Sequence, residues 1–237
     1  MSVALSSEPS DQALRARILA GILFAAARFM PVPLLDDLVR RQVARWMVKG
    51  AAPDLSAAAL RPLSDAEPGC LPGCLGRLAM LPIQLLLFPF RKVLAILRGA
   101  RWVSRDLAEM VLLGRVIDHA RSTGLLSEGP QLEARARELR TAFDVAFHAT
   151  DAQLLSTLLG AAVGPLRGLV SAAMRTLRRL RRARAEEPRP EGADAAVLDA
   201  SVGRIEAALR SPPMRAFLAD FDARFLENLR VLELRRA

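Results

Sequence analysis

Between Leu154 and Met174 the chain reads LLSTLLGAAVGPLRGLVSAAM, an apolar run interrupted by one arginine and one proline and followed at once by RTLRRLRRARA. A run of this kind folds as helix, and the helix must hide its surface in a protein core, at a lipid interface or across a bilayer. Spanning takes about 20 mostly apolar residues, a length the run just reaches. Arg167 near its middle costs about +2.5 to +3.5 kcal/mol on insertion scales, against about −0.3 to −0.6 for each Leu or Val, and Pro165 stands close beside it. A helix buried in a soluble core is therefore the first expectation, an interfacial helix the second and a spanning helix the third.

Gly160, Gly164 and Gly168 recur every fourth residue, which sets them on nearly one helix face where a second backbone can approach closely. That spacing predicts a helix-packing face. The arginines that follow, Arg175, Arg178, Arg179, Arg181, Arg182 and Arg184, spread around much of the circumference, so one acidic neighbour cannot absorb them all. Most are expected to meet water or a polyanion, whether lipid headgroups, an acidic protein or nucleic-acid phosphate. The plainer alternative is a solvated helix end whose cations suit the negative pole of the helix dipole.

The remaining chain is helical in pattern throughout. No stretch alternates polar residues with Val, Ile, Thr and aromatics as a strand does, so the fold class is all-α, a multi-helix bundle with kinked apolar helices. Leu14, Ile18, Ile22 and Ala25 open a first helix that the PVP of residues 31–33 ends. The second helix is expected to turn Leu38, Val39, Gln42, Val43, Trp46 and Met47 inward and Arg40, Arg41 and Arg45 outward. Pro62, Pro68 and Pro72 mark a loop after it. Leu78 to Phe90 is apolar but too short to span. A fresh helix is expected from Ser104 as N-cap to Gly124 as stop. Another begins after Pro130, carries Leu132, Leu139, Phe143, Phe147 and Leu154, and leads directly into the glycine ladder.

AEEPRPEGADA, residues 185–195, has linker composition. It divides the chain into a main helical domain, 1–184, and a C-terminal helical hairpin, 196–237, packed on it. Leu198, Val202, Ile205 and Leu209 line one arm; Ser211, Pro212 and Pro213 start the other, with Phe217, Phe221 and Phe225 on its core face.

With 237 residues, 52% of them hydrophobic, the chain can bury one sizeable core. The formal net charge of +9 comes almost entirely from arginine, since Lys49 and Lys92 are the only lysines, and favours an acidic partner surface. The N-terminus lacks a basic region ahead of an apolar stretch, which argues against a secretory signal and for a cytoplasmic origin. Cys70 and Cys74 then fit reduced thiols better than a disulfide, and they lack the further paired ligands of a zinc site.

Signatures of phosphate-binding loops, dinucleotide folds and serine hydrolases are absent from the sequence. The best catalytic constellation is Asp144, His148 and Asp151, at i, i+4 and i+7, which share one helix face and suit a metal ion or a proton relay. A histidine beside a carboxylate is more commonly a structural hydrogen bond. Asp118 and His119 are adjacent and diverge on a helix, and Asp36 and Asp37 suit the positive pole of a helix start.

The segment AAARFMPVPLLDDLVRRQVARWMV, residues 25–48, is similar to the hydrophobic helix, proline-x-proline turn and acidic helix start of uncharacterised bacterial helical domains, some of them attached to membrane-associated GTPases. Leu34 stands where those domains carry a glycine. The resemblance implies membrane association and brings no catalytic residues or cofactor with it. The sequence thus predicts a non-enzymatic peripheral protein of the cytoplasmic face of the inner membrane, or a scaffold. The alternatives are a soluble adaptor for an acidic protein or nucleic acid and a metal-dependent enzyme built on Asp144, His148 and Asp151.

Overall fold

The computed structural model describes residues 10–29, 35–65, 88–163, 166–183, 188 and 190–234. Among these the chain is helical without strands, in nine helices: α1 Asp11–Ala27, α2 Leu35–Ala51, α3 Arg61–Ser64, α4 Phe88–Ser122, α5 Leu132–His148, α6 Ala152–Val163, α7 Leu166–Ala183, α8 Gly192–Leu209 and α9 Pro212–Leu234. The all-α multi-helix bundle expected from periodicity is what forms. No helix among the described residues is long and apolar enough to cross a membrane.

The bundle is organised around α1. From Ile18 onward its sequence is apolar on every side, and Ile18, Ala20, Ile22, Leu23, Ala25, Ala26 and Ala27 are all buried, the signature of a central helix rather than an amphipathic surface one. It packs against α2, α4, α7 and α8. The Ser10 side chain caps its start by accepting from the Ala13 amide. The long α4 runs beside α1 and also meets α2, α5 and α6, while α9 lies on α5.

The closest approach of α1 and α4 occurs at Gly21. A Cβ there would stand 2.7 Å from Leu107 Cδ1 and 3.0 and 3.1 Å from the Leu107 Cα and carbonyl oxygen. A second glycine, Gly114, makes room for the Arg17 side chain, whose Cδ passes 2.5 Å from where a Cβ would lie. Arg17 then reaches Asp118, Nη2 to Oδ1, at 2.6 Å. Aromatic packing closes the opposite side: Phe143 stacks on Phe147 at 5.5 Å and meets Phe221 of α9 edge-on at 5.9 Å between centroids.

Several helices are joined by ion pairs sunk into the core. Asp222, wholly buried, accepts from Arg115 Nε at 3.1 Å and Nη2 at 2.7 Å, tying α9 to α4. Asp106, equally buried, accepts two bonds from Arg28 at 2.5 and 2.8 Å and one from Arg40 at 3.3 Å. Burial holds the Arg40 guanidinium below its ordinary range despite the attraction of Asp106, whereas for Arg28 burial, again the largest single influence, is outweighed by the hydrogen bonding to Asp106 together with the charges of Asp106, Glu109 and Asp36, and its pKa is raised. Arg140 of α5 bridges to Glu109 of α4 at 3.1 Å and donates to the Leu63 carbonyl of α3 at 3.2 Å. Among the described residues no buried side-chain polar atom lacks a partner.

Some local expectations are corrected. Leu38 is exposed and Arg40 turns inward, because Val39, Val43, Ala44, Met47 and Val48 set the buried face of α2 and the Asp106 carboxylate draws the neighbouring guanidinium to it. The Arg40 stem lies over Phe24, its guanidinium carbon 4.0 Å from the ring centroid. Ser104 is no N-cap; it is buried inside the continuous α4. Gly124 does end that helix region, with φ of 74° in the left-handed region.

The rod expected from Pro130 into the glycine ladder divides at residues 149–151, and Leu154 is exposed. The linker also ends early, since α8 starts at Gly192 with φ of 56°. Its Leu198, Val202, Ile205 and Leu209 are buried, as are Phe217, Phe221 and Phe225 of α9. The two C-terminal helices touch each other, but α8 packs chiefly on α6, α7 and α1, and α9 chiefly on α5.

Candidate functional site

The segment that dominates the sequence forms two helices. In α6, Leu155 and Leu159 are buried; in α7, Leu169, Ala172, Ala173, Leu177 and Leu180 are buried. The outer side of α7 carries Arg175, Arg178, Arg179 and Arg182, at i, i+3, i+4 and i+7, so the four form one stripe opposite the apolar face. These four share a side; the side chain of Arg181, which the helical period sets off that side, lies outside the described residues. Arg184 lies outside the described residues, and α7 itself contains no acidic residue.

One carboxylate organises the stripe. Asp194, in the first turn of α8 and with a side chain only 5% exposed, accepts Nε and Nη2 of Arg175 on Oδ1 at 2.9 and 2.6 Å. Its Oδ2 accepts Nη2 of Arg179 at 2.8 Å. Nη1 of Arg175 donates to the Ser171 hydroxyl at 2.7 Å. Both guanidiniums remain about half exposed, so their unused N–H groups face outward. Arg178 and Arg182 are exposed and make no ion pair among the described residues.

Asp194 escaped sequence reasoning because its neighbours have linker composition. An acidic residue two positions after Gly192 in a helix start, with arginines four residues apart on another helix, was the available signal.

The hydrogen bond from Arg175 chiefly holds the Asp194 carboxyl below its ordinary value, with the nearby positive charges adding to it. A carboxylate with a depressed folded-state pKa contributes stability in full above the unfolded value, about 3.9, and loses it as pH falls through the lower folded value. Hydrogen exchange of the first turn of α8 is therefore expected to quicken in that acid window. Asp194→Asn should abolish this dependence.

The other sequence candidates are placed apart. Asp144 is held by Arg140, Nε to Oδ1 at 3.0 Å. His148 Nδ1 lies 3.3 Å from Arg105 Nη2, and Asp151 Oδ1 accepts the Gln153 and Leu154 amides at 2.8 and 3.2 Å as a helix cap. The three do not converge, and no group of three or more His, Cys, Asp or Glu side chains suited to a metal ion occurs among the described residues.

Asp118 and His119 diverge as expected, Asp118 toward Arg17; burial lowers the His119 pKa. Cys70, Cys74 and Gly164 lie outside the described residues. A Cβ at Gly160 or Gly168 would meet nothing within 4 Å, so among the described residues the close approach expected at this ladder is made instead at Gly21.

A polar cleft of about 670 Å³ opens between α1, the end of α2 and the end of α4. Its charged lining is spent internally: Arg17 pairs with Asp118, and Arg121 pairs with Asp54 and donates to the Ala51 carbonyl at 2.8 Å. By contrast, all four arginines of the α7 stripe are exposed. No protein-family model, curated protein or solved structure matches this chain.

Proposed function

We propose that the chain is a non-enzymatic helical protein that docks peripherally on the anionic lipid of the cytoplasmic face of a membrane. The observation that carries this reading is the stripe of Arg175, Arg178, Arg179 and Arg182 along α7, whose ion pairs among the described residues are both to Asp194. Each basic side chain near an anionic bilayer adds about 1 kcal/mol of attraction, so a stripe of four is enough for reversible, salt-sensitive binding. The overall charge of +9 acts in the same direction.

The four arginines of the stripe are exposed along one helix. A small anion is held best in a concavity, whereas a row of guanidiniums along a helix suits an extended surface. Val197, one turn beyond Asp194 on α8 and 39% exposed, offers an apolar contact beside the charges. No aromatic residue on α7 or α8 offers the stacking face that single-stranded nucleic-acid binding uses.

Fractionation of cells expressing the protein tests the reading. The expected result is recovery with membranes, release by high salt and no requirement for alkaline carbonate. Recovery in the soluble fraction, together with indifference to anionic vesicles, contradicts it and returns the stripe to an acidic protein partner or nucleic acid. Resistance to both washes means inserted helices and contradicts peripheral docking.

A further inference from the structure

We infer that the stripe is a phosphomonoester reader, built to prefer lipid headgroups with a terminal phosphate over phosphodiester headgroups of the same surface charge. This deepens the docking reading and rests on it. A stripe that senses charge alone needs only cations. This one has two of its four guanidiniums fixed from behind.

Asp194 takes three N–H bonds from Arg175 and Arg179, and Ser171 takes a fourth, all at 2.6 to 2.9 Å. The carboxylate is itself buried, so it anchors the two forks without competing at the outer surface. A free arginine loses much of its rotamer freedom on binding; Arg175 and Arg179 have lost part of it in the folded protein. Arg175, held through Nε, Nη1 and Nη2, keeps one N–H on each terminal nitrogen, and Arg179, held through Nη2, keeps the rest of its donors; such planar donors match phosphate oxygens in bidentate fashion.

A terminal phosphate offers three oxygens and a charge between −1 and −2, whereas a phosphodiester offers two free oxygens and a single charge. The three oxygens of a monoester can accept from both fixed forks while Arg178 or Arg182 closes from the side. A diester lacks the third acceptor. Lysine at the same positions would keep the charge and lose the fork.

The test uses the full chain and sedimentation with phosphatidylcholine vesicles containing phosphatidic acid or phosphatidylglycerol, matched for surface potential by electrophoretic mobility. Binding to phosphatidic acid vesicles about fivefold tighter is expected, the effect of one added charge-assisted contact. In Arg175→Lys/Arg179→Lys the ratio between the two vesicles should fall to near 1, with circular dichroism confirming an unchanged helical fold. Asp194→Asn, which unties the forks while removing a negative charge, should also lower the ratio.

Equal binding of the unmodified protein to both vesicles overturns this inference and leaves the docking reading standing. Absence of binding to either overturns the docking reading itself. A ratio preserved in the double lysine variant overturns the role of the fixed forks.

Discussion

Replacing Asp222 by alanine is expected to destabilise the protein by about 3 to 5 kcal/mol, the cost of removing the carboxylate from a substantially buried ion pair. Asp222 has no exposed side-chain surface, and Arg115, 19% exposed, is committed to it through both Nε and Nη2. The pair joins α9 to α4, and its loss should also weaken the Phe143–Phe221 contact that seats α9 on α5.

Urea unfolding measures the effect directly, and a chain of this size should lose about 10 °C or more of melting temperature. A companion variant, Arg115→Met/Asp222→Leu, separates charge burial from packing. It removes both charges and keeps apolar volume, so it should recover most of the stability. Equal destabilisation in the two variants would mean that the residues act through shape rather than charge.

Gly21→Val should cost about 3 kcal/mol through overpacking. The Leu107 Cδ1 atom can swing away from a new Cβ, but the Leu107 Cα and carbonyl oxygen, at 3.0 and 3.1 Å, belong to the α4 backbone and can yield only if the helices separate. Since α1 is the helix around which the bundle is built, separation opens the core. Gly160→Ala is the contrasting case. With open space at its Cβ position, the change should leave the fold intact and gain up to about 1 kcal/mol from helix propensity. Thermal denaturation of the two variants distinguishes a glycine required for packing from one that is not; a destabilised Gly160→Ala would restore the ladder as a contact face.

The contrast between these glycines shows where sequence reading succeeds and stops. Four-residue spacing marks a face, but which glycine meets another backbone depends on crossing geometry between helices far apart in sequence. The period itself was legible: Leu198 to Leu209 and Phe217 to Phe225 are buried as their spacing requires, because apolar burial is the dominant local determinant of helix phase. Leu38 and Arg40 were misplaced because a partner 66 residues away, Asp106, decides that side of α2.

The stripe was half legible. Its arginines are evident, but Asp194, which fixes two of them, sits in residues whose proline and glycine content reads as linker. For Asp144, His148 and Asp151 the shared-face spacing was real in sequence, yet the helix ends at His148. Each then takes a separate partner.

The most direct measurement is co-sedimentation with anionic and with purely zwitterionic vesicles over a range of salt, comparing the unmodified protein with Arg178→Glu/Arg182→Glu. Both residues are exposed and unpaired among the described residues, so reversal should leave the fold unchanged. The account predicts salt-sensitive binding to anionic vesicles only and a loss of at least about tenfold in the reversed variant, given about 1 kcal/mol per basic side chain. Undiminished binding of that variant, or equal binding to the zwitterionic vesicles, would contradict it.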